Sequence, residues 1–369
     1  MAIFKKVIKV VLIILGILIV AFGAFLGWLT AKEYKPAEVE KVTIDTSETT
    51  GKKMVLGTDI KVMSWNVGYG ALGDNADFFM DGGTSTMTAT PERLDVNLAG
   101  IRGGILTENP DILFIQELDL DSKRSHNKDE NEAIKGNLTA LGMEPYVGSF
   151  AYNFNVEYLP YPIPDTMGKV KSGIETLSRY EVTDAERRSL PCPFSWPVRT
   201  INLKRCILIN RIPVYDENEK ATGKELVMIN LHLEAYDDGE GKTQQTQMLK
   251  KIMQDEYDKG NYVIAGGDFN QTFSGVDDSK YPKYEGMWEC GEIDQSEFGS
   301  NWQFFMDTEV PTCRSLDKAY QGADKDNFQY YMIDGFIVSD NIEVSEMHTK
   351  NMLFAPSDHN PVTMNVKLK

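Results

Sequence analysis

The sequence predicts a layered α/β or α+β fold behind one N-terminal membrane helix. Short apolar runs recur between residues 58 and 369 and end in polar residues. Helical patterns separate some of these runs, and 42% of the 369 residues are hydrophobic. That fraction is sufficient for a sizeable core in one large or two smaller domains. Because alternating strands and helices bury their apolar faces against each other, they pack as layers.

Residues 1–31 predict a membrane anchor with a short cytoplasmic tip. Lys5, Lys6 and Lys9 precede an uncharged, apolar run over residues 10–30. At about 1.5 Å per residue, this run can cross a hydrocarbon core of roughly 30 Å. Since a basic flank favours the cytoplasmic side, we expect a single-pass protein of the cell membrane with an extracytoplasmic domain. A cleaved signal peptide is the alternative, although its apolar region is typically shorter, about 7–15 residues.

Residues 32–57 are expected to form a linker that separates the membrane helix from the domain of residues 58–369. This stretch is polar and rich in threonine, and it lacks a periodic apolar face. An acidic domain would be repelled by anionic lipid, so a spacer would be useful to it.

Composition limits the classes of function. The formal net charge of −17 argues against a generic basic nucleic-acid-binding protein, but not against a nuclease with a few local cations and a metal. The cysteines lack the CxxC spacing of metal sites. Disulfides Cys192–Cys206 and Cys290–Cys313 and buried free thiols are both compatible with the sequence. No sequence feature points to a protein partner.

Polar residues follow or precede the predicted strands at six places. Asp, Asn and His at strand ends must find partners or face water, and sheet scaffolds present chemistry to clefts there. Such residues are together suited to activating a water against a phosphate ester. The strands are expected at residues 60–65, 112–116, 226–231, 262–265, 330–333 and 362–366, beside Asn66, Glu117, His232, Asp268 with Asn270, Asp334, and Asp358 with His359.

Two helices are predicted between these strands. Thr90 offers a capping hydroxyl and Pro91 suits a first helical position, and apolar residues follow at helical spacing until residues 109–110. The second helix is expected over residues 242–259 and ends before Gly260.

In this order the motifs of residues 58–369 resemble the endonuclease/exonuclease/phosphatase superfamily. That superfamily includes pancreatic-type deoxyribonucleases, abasic-site endonucleases, neutral sphingomyelinases and inositol polyphosphate 5-phosphatases. The resemblance implies a four-layered sandwich of two packed, mostly antiparallel sheets flanked by helices. The motifs that carry it are Asn66, Gln116-Glu117, Asn230-Leu231-His232-Leu233, Gly267-Asp268-Phe269-Asn270, Ile333-Asp334-Gly335-Phe336 and Ser357-Asp358-His359.

The resemblance also implies a magnesium site, in which Mn²⁺ is an alternative ion. Glu117 matches the principal metal ligand of the superfamily, and a lone carboxylate with waters and substrate phosphate is a usual way to hold Mg²⁺. Asn66 matches a residue that positions the metal or the phosphate. Asp358 matches a second acidic residue near the metal.

Five further residues match catalytic positions of the superfamily. Asp268 matches the acid that orients or deprotonates the attacking water, and Asn270 matches its hydrogen-bonding neighbour. His359 matches the histidine that contacts the scissile phosphate, and Asp334 the carboxylate that orients it. His232 matches a second histidine, which faces the phosphate or the leaving group.

Other residues are candidates for substrate binding. Arg124 and Arg314 are expected either to contact a phosphate or to be solvated loop charges, and Tyr69 is a candidate to line the cleft. The aromatic, proline-rich segments 158–164 and 193–197 are expected either to contact a lipid or base or to cover a sheet edge.

Two classes of function stay open. The first is an extracytoplasmic Mg²⁺-dependent phosphoesterase that acts on a phosphodiester, either a nucleic acid or a phospholipid headgroup. Where abasic-site endonucleases carry an acid, this sequence has Gly68, so abasic-site repair is disfavoured. A non-catalytic binding domain on the same scaffold is the alternative from another class. Diester and monoester substrates are not separated, because the same core serves both in the superfamily.

Overall fold

The structure, a computed structural model, describes residues 2–237 and 239–369. Two packed, mostly antiparallel sheets with few helices make up the fold, which confirms the predicted α+β class. The helices among the described residues are α1 (Ala2–Lys32), α2 (Pro91–Glu108), α3 (Glu130–Leu138) and α4 (Glu240–Tyr257).

The strands are short in the N-terminal stretch and longer within the two sheets. In chain order they are β1 (Val39–Lys41), β2 (Ile44–Asp45), β3 (Met54–Val55), β4 (Asp59–Asn66), β5 (Ile112–Asp119), β6 (Val147–Leu159), β7 (Gly168–Ser178), β8 (Asp184–Ser189), β9 (Cys206–Tyr215), β10 (Ala221–His232), β11 (Tyr262–Asp268), β12 (Gln271–Phe273), β13 (Gly291–Ile293), β14 (Trp302–Phe305), β15 (Cys313–Arg314), β16 (Tyr330–Tyr331), β17 (Asp334–Ser339), β18 (Ile342–Thr349) and β19 (Val362–Leu368).

The two large sheets share one pattern, a central parallel pair of strands in a mostly antiparallel order, and in the first sheet β3 also pairs in parallel with β9. The first sheet runs β1-β8-β9-β10-β11-β17-β14, with β3 added beside β9. The second runs β18-β19-β4-β5-β7-β6-β2. The parallel pairs β10/β11 and β4/β5 are central, so their carboxyl ends open at one edge of each sheet.

Apolar contacts stack the sheets and helices into four layers. Phe114 of β5 and Ile264 of β11 belong to one buried cluster between the sheets. Leu98 of α2 packs against the outer face of the second sheet, and Leu249 of α4 against that of the first. Because the central strands are covered on both faces, their sequences read as continuous apolar runs.

Most of the predicted elements are present. The first predicted helix is α2, where the Thr90 hydroxyl accepts a hydrogen bond from the Arg93 amide at 3.2 Å and Asn109 adopts the left-handed conformation that ends the helix. The second is α4, shifted two residues toward the N-terminus. Residues 330–333 differ from the prediction, since only Tyr330–Tyr331 form a strand and Asp334 begins β17.

The segment expected to be a linker, residues 32–57, contributes strands to both sheets. In it, β1 pairs with β8, β2 with β6, and β3 with β9. The structure differs from the expectation here because strand pairing is made by backbone groups. Short edge strands therefore need no apolar periodicity.

The N-terminal helix α1 is long and apolar enough to cross a membrane. Residues Ile3–Lys32 have a mean hydropathy of 3.0 over their most apolar window, and that window is not buried against the rest of the protein. A signal sequence near the N-terminus can meet the same criteria of length and composition. Elsewhere in the described part of the chain all four cysteines are free thiols.

Candidate active site

Five strand ends and an irregular position within β5, at Glu117, meet at one edge of the sandwich and bring the predicted polar residues together. In the first sheet, His232 of β10 is in register with Asp268 of β11, which is in register with Asp334 of β17. In the second sheet, Asn66 ends β4 beside β5. Asp358 and His359 lie in the same sheet's edge region, just before β19, which is the antiparallel neighbour of β4.

Asp268 lies at the centre of this group. Its Oδ2 accepts a hydrogen bond from Asn66 Nδ2 at 3.0 Å, and its Oδ1 accepts one from the Asn270 amide at 2.8 Å. Two imidazole nitrogens approach Oδ2, His232 Nε2 at 3.5 Å and His359 Nε2 at 3.8 Å. Burial, with the negative charge of Asp334, raises the pKa of Asp268 to about 7.

The two histidines differ in their surroundings. His359 Nδ1 lies 2.8 Å from Asp334 Oδ2. Burial opposes a charge on His359, but the Asp334 carboxylate outweighs it and holds the pKa of His359 well above its usual value. Among the described residues, no carboxylate forms a hydrogen bond with His232 and its Nδ1 has no partner, and burial lowers its pKa well below the usual value. The site therefore pairs a cationic imidazole with a neutral one.

Glu117 and Asp358 offer oxygen ligands to a divalent cation. Glu117 has a left-handed backbone with φ of 56°, and its carboxylate accepts a hydrogen bond from Asn66 Nδ2 at 3.1 Å. Burial raises the pKa of Asp358 to about 6. Both carboxylates line the same cavity, and hard oxygen donors fit Mg²⁺ or Mn²⁺.

Asn66 positions these carboxylates. Its Oδ1 accepts a hydrogen bond from the Gly68 amide at 3.0 Å, so its Nδ2 points at Glu117 and Asp268. Gly68 is needed for this turn, since its φ is 52° and a Cβ there would lie 2.7 Å from Asp358 Oδ1. The Asn270 side chain is also held by the backbone, because its Nδ2 donates a hydrogen bond to the Leu233 carbonyl at 2.9 Å.

The candidate substrate-binding residues line the cavity, but protein groups already accept hydrogen bonds from both arginines. Arg124 donates to both oxygens of Asp119, at 3.0 and 2.9 Å, and its guanidinium lies 3.7 Å from the centre of the Tyr69 ring. Arg314 donates to the carbonyls of Gly73, Ser315 and neighbouring residues. A buried guanidinium needs such acceptors, which sequence spacing does not reveal.

A cavity of about 390 Å³ opens in front of these groups. Glu117, His232, Asp268, Asp358 and His359 line its polar end. The rest of the wall is largely apolar and aromatic, and comes mainly from loops. It includes Phe79, Leu159, Tyr161, Phe194, Val198 and Ile201.

Several residues of the cavity were not predicted from the sequence. Cys313 forms an isolated backbone bridge with His359. Asp81 accepts a hydrogen bond from the Tyr236 hydroxyl at 3.0 Å. Arg205 donates to the His232 carbonyl at 3.3 Å. These residues lie on loops or at the start of an unpredicted strand, where no local pattern signals a role.

Sequence comparison with family models decides the relationship. A model described as the Endonuclease/Exonuclease/phosphatase family matches residues 63–359. The chain belongs to this family. The match includes every position of the candidate site, and the family includes hydrolases of phosphoesters that generally depend on divalent metals. No curated protein matches the chain.

Solved structures show the same fold as this endonuclease/exonuclease/phosphatase family member. An endonuclease/exonuclease/phosphatase from Beutenbergia cavernae is similar at 17% identity and a TM-score of 0.54, over 84% of this chain and 72% of that chain. A family protein from Leptotrichia buccalis is similar at 16% identity and a TM-score of 0.51, over 84% and 100%. The catalytic domain of human Nocturnin with bound sulfate is similar at 17% identity and a TM-score of 0.50, over 89% and 98%.

Proposed function

We propose that this protein is a divalent-metal-dependent phosphodiesterase, anchored in a membrane by α1 with its catalytic domain outside the cytoplasm. One observation carries the proposal. A carboxylate with a pKa of about 7, Asp268, lies within 3.8 Å of two imidazoles of opposite charge preference at the end of an open cavity. A base with this pKa is suited to take a proton from water near neutral pH.

The residues divide the chemistry among them. Mg²⁺ or Mn²⁺, held by Glu117 and Asp358, would neutralise charge on the phosphate. Asp268 accepts the proton of the attacking water at Oδ2. The cationic His359, fixed by Asp334, donates a hydrogen bond to a phosphate oxygen.

The remaining two polar groups support this step. The neutral His232 lies 4.0 Å from Glu117 Oε1 and 3.5 Å from Asp268 Oδ2, so its Nε2 faces the reacting region. Asn66 holds Glu117 and Asp268 at a fixed separation, because one amide nitrogen donates to both. Fixed donors and acceptors lower the cost of reorganisation in the transition state.

The competing proposal is a non-catalytic binding domain on this scaffold. Complete retention of the polar set argues against it, because a binding domain does not need a carboxylate within 3.8 Å of two imidazoles at the end of a cavity. Clusters of ionisable groups in a cleft are typical of functional sites.

A substrate panel tests the proposal. The full-length protein in detergent is given plasmid DNA, RNA, sphingomyelin, phosphoinositides and bis(p-nitrophenyl) phosphate, with Mg²⁺, with Mn²⁺ or with EDTA. We expect metal-dependent hydrolysis of at least one diester. Asp268→Ala should lower its rate by about 10²–10⁴-fold, since general bases typically contribute this much.

The matched control is Asp277→Ala, in an exposed loop outside the cavity, which should retain the wild-type rate. Absence of hydrolysis of every substrate with either metal would favour the binding domain. A wild-type rate in Asp268→Ala would remove Asp268 from the mechanism.

A further inference from the structure

We infer that the cavity opens at the bilayer surface and that the substrate is a membrane lipid with a phosphodiester headgroup. In this arrangement the phosphate reaches Asp268 and an acyl chain lies along the apolar loop wall. The inference rests on the proposed function for its chemistry and adds the substrate class. Four features of the molecule carry it.

The first feature is the attachment of the end of α1 to the domain. Leu29 is buried there, and the Thr30 hydroxyl accepts a hydrogen bond from Trp196 Nε1 at 3.0 Å. Glu33, just after the helix, forms ion pairs with Arg199 at 3.0 Å and Lys204 at 3.2 Å. If α1 crosses a bilayer, the segment 194–204 therefore lies at the membrane surface, where the helix emerges.

The second feature is a group of exposed apolar side chains on the same side. The ring of Phe25 in α1 contacts Tyr158 at the end of β6, with ring centres 6.4 Å apart. The β6–β7 loop follows, and there Ile163 is 82% exposed. Trp196 in the segment beside Thr30 is 53% exposed. Exposed apolar side chains in one region indicate an interaction surface, and tryptophan and tyrosine favour the membrane interface.

The third feature is the continuity of these loops with the cavity. Tyr161 of the β6–β7 loop and Val198 of the segment beside α1 are exposed on one side and line the cavity on the other. Phe79 closes the opposite wall, with its ring centre 5.4 Å from that of Tyr161. One apolar passage thus connects the membrane-facing loops with the catalytic carboxylates.

The fourth feature is the charge of the site. The described residues that line the cavity include three arginines, Arg124, Arg205 and Arg314, and each donates to protein acceptors. The whole chain has a formal charge of −17. Nucleic-acid binding relies on cations that contact many phosphates. This cavity is better suited to a single phosphate with an apolar tail.

Acyl-chain length provides the first test. Full-length protein in detergent-free lipid nanodiscs is assayed with monomeric phosphatidylcholines of increasing chain length and with glycerophosphocholine, which has the headgroup alone. We expect kcat/KM to rise by up to roughly fourfold for each methylene that the wall buries. A kcat/KM independent of chain length would overturn the inference.

A charge on the membrane-facing loop provides the second test. Ile163→Glu should lower the ratio of phosphatidylcholine-vesicle hydrolysis to bis(p-nitrophenyl) phosphate hydrolysis by about tenfold or more, since a carboxylate opposes insertion into the interface. Val96→Glu is the matched control, because Val96 is 62% exposed on α2 and does not line the cavity. Its ratio should equal that of the wild type.

The outcomes separate the inference from the proposed function. Hydrolysis of bis(p-nitrophenyl) phosphate or DNA without hydrolysis of phospholipid overturns the inference and leaves the phosphodiesterase proposal standing. An equal ratio in Ile163→Glu and wild type also overturns the inference. Absence of hydrolysis of every diester overturns both.

Discussion

At the residue scale, burial and neighbouring charges set the pKa of four ionisable groups in the site. Asp268 and Asp358 are both buried, and burial raises the pKa of each carboxyl. His359 and His232 are buried as well, but only His359 has a carboxylate at hydrogen-bonding distance. Because a nearby charge can outweigh desolvation, the same side chain is cationic at one position and neutral at the other.

Asp334 contacts His359 through its carboxylate, so removal of that charge should affect His359 directly. Asp334→Asn keeps the size of the side chain but removes the charge that stabilises imidazolium at 2.8 Å. We expect the turnover number to fall about 10²-fold, measured on the best diester of the panel. Asp277→Asn is the control. An unchanged pH profile in Asp334→Asn, with an unchanged rate, would show that Asp334 only closes its strand.

Gly267 lies where the backbones of β10 and β11 approach each other closely behind the site. It precedes Asp268 with φ of 146°, and a Cβ there would lie 2.0 Å from the Leu231 carbonyl oxygen. Gly267→Ala should lower the free energy of unfolding by about 3 kcal/mol or more, because neither strand has room to move.

Gly275→Ala is the matched control for this change. Gly275 also has positive φ, at 88°, but nothing lies within 4 Å of its Cβ position. Gly275→Ala should lower the free energy of unfolding only by the cost of a left-handed backbone at alanine, about 1 kcal/mol. Urea unfolding in detergent measures both variants, and equal losses would contradict the close contact at Gly267.

At the scale of the elements, a polar bridge joins the two sheets beneath the site. Gln116 of β5 donates to Asn230 Oδ1 of β10 at 2.8 Å, and Asn230 Nδ2 donates to the Glu175 carbonyl of β7 at 2.7 Å. Buried amides need such partners, so few relative positions of the sheets satisfy them. The bridge therefore holds the strand ends of one sheet opposite those of the other.

The Glu175 side chain makes the stability of this region depend on pH. Burial raises its pKa to about 8, whereas a glutamate in the unfolded chain has a pKa of about 4.3. Between these values the folded state binds the extra proton, so the contribution of Glu175 to stability is complete below about pH 4.3 and is lost as pH rises to about 8.

Glu175→Gln should remove this dependence. Relative to the wild type, the variant should gain more than about 1 kcal/mol of unfolding free energy between pH 5 and pH 8. Chemical unfolding at several pH values measures it, with Glu217→Gln at an exposed turn as the control. A difference from the wild type that is constant with pH would show that Glu175 ionises normally.

At the scale of the whole molecule, the sandwich brings together two ends of one cavity whose residues lie far apart in sequence. Its strand ends form the reactive end of the cavity, and its loops form the apolar end beside α1. The segment of residues 32–57 contributes β1, β2 and β3 to the sheets, so the chain passes from α1 directly into the folded body. A short connection of this kind keeps the cavity close to the emerging helix, as the proposed lipid substrate requires.

Local sequence was sufficient for features that depend on neighbouring residues. Apolar runs, the Thr90 cap and the motifs beside Asp268 and His359 predicted the class of fold, the main strands and the polar residues that the fold brings together, because each is encoded within a few positions. The length and hydropathy of the uncharged run in α1 can likewise be read from the sequence alone.

Only the tertiary structure decided which partners each side chain meets. Arg124 and Arg314 resemble phosphate ligands in sequence, yet the fold brings Asp119 and backbone carbonyls to them. The pairing of β1, β2 and β3 with β8, β6 and β9 relies on backbone hydrogen bonds between distant segments. The apolar wall beside α1 is assembled from three loops. Such contacts depend on positions in space, which no local pattern records.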